Sequence, residues 1–137
     1  MARLRHGRKN GVELMLCEQS TVSYPPHNHI SVFTLGFVLD GAIELTTERG
    51  SRLCQQGDCF LILPYMPHRI DAKARYTLLS LCVRVHQTDG EESLLSDAAE
   101  LLHGAVGDPE TEEKILRALS GVPLLRGMFP GRGDGVL

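Results

Sequence analysis

Between Gly11 and His86 the chain is a succession of short β-like runs broken by turn signals, and this rhythm limits the fold more than any other feature. Val12 to Cys17 is the first run. Ile30 to Leu39 is the second, rich in the β-branched and aromatic residues that strands favour. Asp40-Gly41 is an Asp-Gly hairpin signal, with Ala42 to Thr47 expected as the returning strand. Glu48 to Ser51 turns the chain again, Gln56-Gly57-Asp58 is a further turn, and Cys59 to Leu63 reads as a buried strand. Pro64 and Pro67 bracket a tight loop before His68. From Tyr76 to Val85 the sequence alternates, placing Thr77, Leu79, Leu81, Val83 and Val85 on one face. Short strands at this spacing predict a mainly β sandwich or closed barrel rather than a parallel sheet.

After Gly90 the period changes. Leu94, Leu95, Ala98, Leu101 and Leu102 recur at helical spacing, with Gly104 where the helix would stop. Asp108-Pro109 opens a second helix as N-cap and first-turn proline, and Glu110, Glu112 and Glu113 complement its dipole. Ile115, Leu116 and Leu119 form its apolar stripe and Gly121 ends it. Four segments are expected: a flexible basic arm at 1–10, a barrel at 11–88, a helical segment at 89–122, and a linker or disordered tail at 123–137.

The chain has 137 residues, the size of one domain with its own core. Its 42% hydrophobic and 23% charged residues are those of a soluble globular protein. A net charge of -3 shows none of the basic surplus of a self-contained nucleic-acid binder. No apolar run is long enough to span a bilayer, and no apolar stretch follows the basic N-terminus as in a secretory signal, so a cytoplasmic location without membrane contact is expected. The four cysteines, Cys17, Cys54, Cys59 and Cys82, form no C-x-x-C pair and read as small buried hydrophobes.

The stretch richest in chemistry is Pro25-Pro26-His27-Asn28-His29, followed downstream by Gly57-Asp58 and by Pro64-x-x-Pro67-His68. On a strand, residues two apart face the same side with Cα atoms about 6–7 Å apart. Two such imidazoles can converge on one ion at about 2.0–2.1 Å each. His68, its backbone fixed by prolines, is the candidate third nitrogen. By strand parity Phe33, Leu35 and Phe37 share the face of His27 and His29. The ligand-contact candidates are thus His27, His29, Phe33, Phe37 and His68, and the metal candidates are His27, His29 and His68.

These residues resemble the two motifs of the cupin superfamily: His27-x-His29 with Gly41 match the first, and Gly57, Pro64 and His68 the second. The resemblance covers about residues 22 to 70. It departs where a metal-binding cupin usually carries a glutamate, since Phe33 and Thr34 stand there; Glu44 is the carboxylate nearest to replacing it, against an expected outward, solvated position. The run of motifs is most similar to the N-terminal effector-binding domain of AraC/XylS-type transcription regulators. In that family a basic arm precedes the barrel, helices after it mediate dimerisation, and DNA is bound by helix-turn-helix units, which this chain does not contain.

The resemblance implies a non-enzymatic domain that senses a small-molecule effector and forms a homodimer, touching DNA only through a C-terminal domain not present here. The alternative is a stand-alone cupin oxygenase or isomerase in which the three histidines hold a divalent transition metal (Zn, Ni, Fe or Mn). A third reading is a structural dimeric cupin with no ligand.

Overall fold

The computed structural model describes residues 3–27, 32–84 and 90–122. The strands are β1 (Arg3–Lys9), β2 (Val12–Ser20), β3 (Tyr24–His27), β4 (Phe33–Asp40), β5 (Ala42–Thr47), β6 (Gly50–Gln55), β7 (Cys59–Ile62), β8 (His68–Ala72) and β9 (Tyr76–Val83). Two helices follow, α1 (Glu91–Ala105) and α2 (Pro109–Ser120). The strands form two facing antiparallel sheets, one of five in the order β1-β2-β9-β4-β7 and one of four in the order β3-β8-β5-β6. Among the described residues only β1–β2 and β5–β6 are hairpins between strands consecutive in sequence; every other step crosses from one sheet to the other. The architecture is therefore the mainly β barrel with two C-terminal helices expected from the turn rhythm.

Alternation along each strand sorts side chains between two cores. Between the sheets, Val38, Ile43, Leu45, Cys54, Phe60, Ile62, Ile70, Tyr76 and Leu78 fill one end of the barrel. On the far side of the five-stranded sheet, Val12, Leu14, Leu16, Phe33, Leu35, Phe37, Leu79, Leu81 and Val83 meet Leu94, Ala98 and Leu102 of α1 and Ile115 and Leu119 of α2. Burying each large side chain here contributes about 1.5–3 kcal/mol, so the helices are held by apolar area. Asp108 caps α2 by accepting from the Thr111 N–H, and α1 continues past Gly104 to Ala105, with the positive φ arriving at Gly107.

Two expectations are corrected. Asp40-Gly41 makes no hairpin, because β4 pairs with β7 and β9 whereas β5 pairs with β6 and β8. Gly41 instead turns a corner between sheets at φ 78°, so close to the chain that a Cβ would lie 2.0 Å from the Arg75 carbonyl oxygen. Only glycine fits that corner. The segment expected as a flexible arm is strand β1, in register with β2 from Arg3 opposite Glu18 to Lys9 opposite Val12. Two of its charges anchor it: Arg5 Nε lies 3.0 Å from Glu18, Arg5 Nη1 donates to the Ala105 carbonyl at 3.2 Å, and Lys9 pairs with Glu100. Asn10 Nδ2 then donates to buried Asp97 at 2.9 Å, seating the β1–β2 turn on α1. A strand held by ion pairs leaves no apolar period to read.

Candidate functional site

The end of the barrel opposite the apolar plug is where polar groups gather. His68 opens β8 directly after Pro67; its partners across the sheet are Thr47 on one side and His27 on the other. The His68 side chain is buried, with Nδ1 3.0 Å from the Met66 carbonyl oxygen. A carbonyl only accepts, so Nδ1 carries the hydrogen of this contact. Beside it a cavity of about 250 Å³ is lined by Thr46, Thr47, Glu48, Pro67, His68 and Arg69.

Facing His68 from the other sheet is the inner side of β2, β9 and β4. Cross-strand register places Glu13 beside Cys82, Met15 beside Ser80, and Thr34 and Gly36 beside Cys82 and Ser80 respectively. β9 is the middle strand of its sheet, yet Ser80 and Cys82 are only half-buried, whereas Leu79, Leu81 and Val83 between and beside them are fully buried under the helices. The surface left open on Ser80 and Cys82 therefore lies inside the barrel. Thr34 Oγ1 and Cys82 Sγ are 3.5 Å apart. Burial pushes the Cys82 thiol above its ordinary value, the Thr34 hydroxyl partly opposing this and the Glu13 carboxylate adding to it. It is a neutral, weakly hydrogen-bonding thiol at physiological pH rather than a nucleophile. At the rim His6 Nε2 lies 2.6 Å from Glu13 Oε2.

Of the sequence candidates, His68 is in this barrel end, and the backbone of His27 is opposite it. His29 lies outside the described residues, so the three-histidine metal site is an expectation carried forward. Among the described residues no three His, Cys, Asp or Glu side chains converge on one point. Phe33 and Phe37 are corrected: both are buried in the core between sheet and helices, facing away from the barrel interior. The parity argument failed because β3 and β4 belong to different sheets, so alternation counted from His27 does not carry through to Phe33. Thr34 points inward in place of the glutamate of metal-binding cupins. Glu44 points outward, its carboxylate 3.4 Å from Lys73 Nζ. Sequence reasoning missed Glu13, Ser80 and Cys82; the small and polar residues on the even positions of β9 were the signal for the last two.

Solved structures match this fold. KdgF from Halomonas sp. aligns with a TM-score of 0.54 at 17% identity, over 61% of this chain and 80% of that one. A cupin-2 domain protein from Shewanella frigidimarina aligns at 0.53 and 17% identity, over 60% and 80%. A cupin superfamily protein from Desulfitobacterium hafniense aligns at 0.54 and 16% identity, over 61% and 77%. At these identities the likeness establishes the cupin fold alone. No curated protein matches the chain at a significant level. Among the described residues no helix is long and apolar enough to cross a membrane. The family model for the AraC-like ligand binding domain matches residues 11–121, spanning the barrel from β2 onward together with both helices. The chain belongs to the AraC-like ligand-binding domain family.

Proposed function

We propose that this chain is the ligand-sensing and dimerisation domain of an AraC-type transcription regulator acting in the cytoplasm, and that its effector binds against the inner face of the five-stranded sheet. The observation that carries this reading is the two-sidedness of β9. Ser80 and Cys82 face the interior, while Leu79, Leu81 and Val83 of the same strand carry the helices. A ligand that shifts this strand shifts the platform under α1 and α2, and such a differential effect is what a sensor requires. Thr34, Ser80, Glu13, Cys82 and His68 offer hydroxyl, carboxylate, thiol and imidazole groups, which suit a small polar effector. The helical segment 89–122 is the dimerisation element in this reading, and contact with DNA belongs to a helix-turn-helix domain outside it.

A metal-dependent cupin enzyme is the second reading, favoured by the Nδ1 contact of His68. With Nδ1 held by a carbonyl, Nε2 is oriented as in metal-ligating histidines. His27, His29 and His68 would hold the ion, which would supply Lewis-acid or oxygen chemistry.

The test is a thermal-shift screen of small polar compounds against the wild-type chain, with elemental analysis of the same sample. In the sensor reading a hit raises the Tm by several degrees, roughly the effect of saturation near 100 Kd. Ser80→Leu, which fills the interior, abolishes the shift while leaving the chain folded. A shift that survives Ser80→Leu unchanged overturns the inner-face assignment, and stoichiometric transition metal lost in His68→Ala moves the balance to the second reading.

A further inference from the structure

The two sheets are not joined at the β1 and β3 edges, which end their respective sheets. At this seam lies a second cavity of about 230 Å³, lined by Arg3, Leu4, Cys17, Ser20, Val22 and Tyr24. None of these residues belongs to the inner-face site. Leu4 and Cys17 are cross-strand partners and so share a face, and Tyr24 is the partner of buried Ile70. Large apolar side chains exposed to solvent are few among the described residues, and three of them, Leu4, Val22 and Tyr24, meet here. A concave cluster of exposed apolar groups marks a binding surface rather than chance exposure.

The polar groups of the cavity fix the chemistry of its occupant. Among the described residues no carboxylate lines it. Arg3 and Arg5 share a single acid, Glu18, and Arg5 holds it at 3.0 Å whereas Arg3 stands 3.9 Å away. Two cations on one anion leave a positive charge at the rim, and the Arg3 side chain is largely exposed. Partial burial, with the Cys17 thiol beside it, pushes the Tyr24 phenol up to about 12, so it remains a hydrogen-bond donor throughout the physiological range. A volume below the roughly 300–1,000 Å³ of drug-sized ligand pockets suits a small molecule.

We propose that the β1/β3 seam is a second ligand site, specific for a small monocarboxylate with an apolar body. The apolar body lies among Leu4, Val22 and Tyr24, and the carboxylate meets Arg3 with the Tyr24 hydroxyl. The idea does not depend on the inner-face reading, since the two sites share no residue.

Three six-carbon probes, hexanoate, its isostere hexanamide, and hexylamine, separate charge from apolar contact when titrated into the whole chain by calorimetry or ligand-observed NMR. Hexanoate is expected to saturate one site with a Kd of about 0.1–5 mM, roughly tenfold tighter than hexanamide, with hexylamine weaker still. Added salt should narrow the gap, because the rim charge is exposed. Arg3→Gln, at a largely exposed position, should reduce hexanoate to the level of hexanamide, with an unchanged Tm showing that the chain still folds. Bound hexanoate should also slow alkylation of Cys17 by iodoacetamide, which reports the location directly. Equal binding of the three probes, no saturable binding of hexanoate, or full hexanoate affinity in Arg3→Gln would each overturn the proposal. Hexanoate binding lost in Ser80→Leu but kept in Arg3→Gln would also overturn it, while leaving the inner-face reading intact.

Discussion

At the residue scale, the barrel interior depends on a side chain that is absent. A Cβ on Gly36 would lie 2.1 Å from the Phe60 ring, which occupies the space beside β4 and helps close the plugged end. Gly36→Ala must displace that ring, and overpacking of this kind costs about 1–3 kcal/mol; urea denaturation should show the loss with an unchanged m-value. Asp108 gives a pH signature. Its bond to Thr111 holds its carboxyl below the ordinary value of 3.8, so its contribution to stability is complete above the unfolded-state pKa and is lost as pH falls through the folded value. Asp108→Asn keeps a capping oxygen but removes the titration, and the Tm of this variant should fall less steeply than wild type between pH 5 and about 2. Single residues were unevenly legible in the sequence. His68 was found because Pro64 and Pro67 announce a fixed loop before it. Ser80 and Cys82 were overlooked because a small or polar residue on a strand looks solvent-facing until the other sheet is in place. Phe33 and Phe37 were assigned to the wrong side because alternation was counted across a change of sheet.

At the scale of elements, legibility followed burial. β4, β5, β7 and β9 carry apolar alternation or apolar runs, both helices carry apolar stripes and α2 has its Asp108 cap, so their positions were readable to within a few residues. β3, β6 and β1 are three of the four sheet edges, β7 being the apolar fourth, with Pro25 and Pro26 in β3, a largely exposed β6, and a β1 dominated by arginines, a histidine and a lysine. Edge strands are commonly polar or interrupted by proline, which prevents pairing with a neighbouring molecule. The same features hide them from a pattern search. β8, with Ile70 as its one large apolar residue, is a strand because β5 and β3 hold it on both sides. The basic β1 in particular is an element whose charges find partners in Glu18 of the adjoining β2 and in Glu100 of α1, contacts that leave no apolar period.

For the molecule as a whole, the barrel and the helices meet on one sheet, and this bears on how two copies would associate. Among the described residues the exposed large apolar side chains are Leu4, Val22, Tyr24, Leu53 and Tyr65, none of them on a helix. A helix-mediated dimer would then rest on the half-buried Leu95, Leu101 and Leu116 within a charged surround. Such an interface is small and polar. Sedimentation equilibrium should find dissociation at roughly micromolar concentration or above, strengthened or weakened by salt according to the charges that meet; a salt-insensitive dimer persisting to nanomolar concentration would place the interface elsewhere. The alternation of β9 has a practical consequence for anyone wishing to retune this domain. Odd positions 79, 81 and 83 form one alphabet, written for the helices, and even positions 80 and 82 form another, written for whatever enters the barrel. A library that randomises only the even letters would search for new effectors while leaving the output machinery spelled as it is.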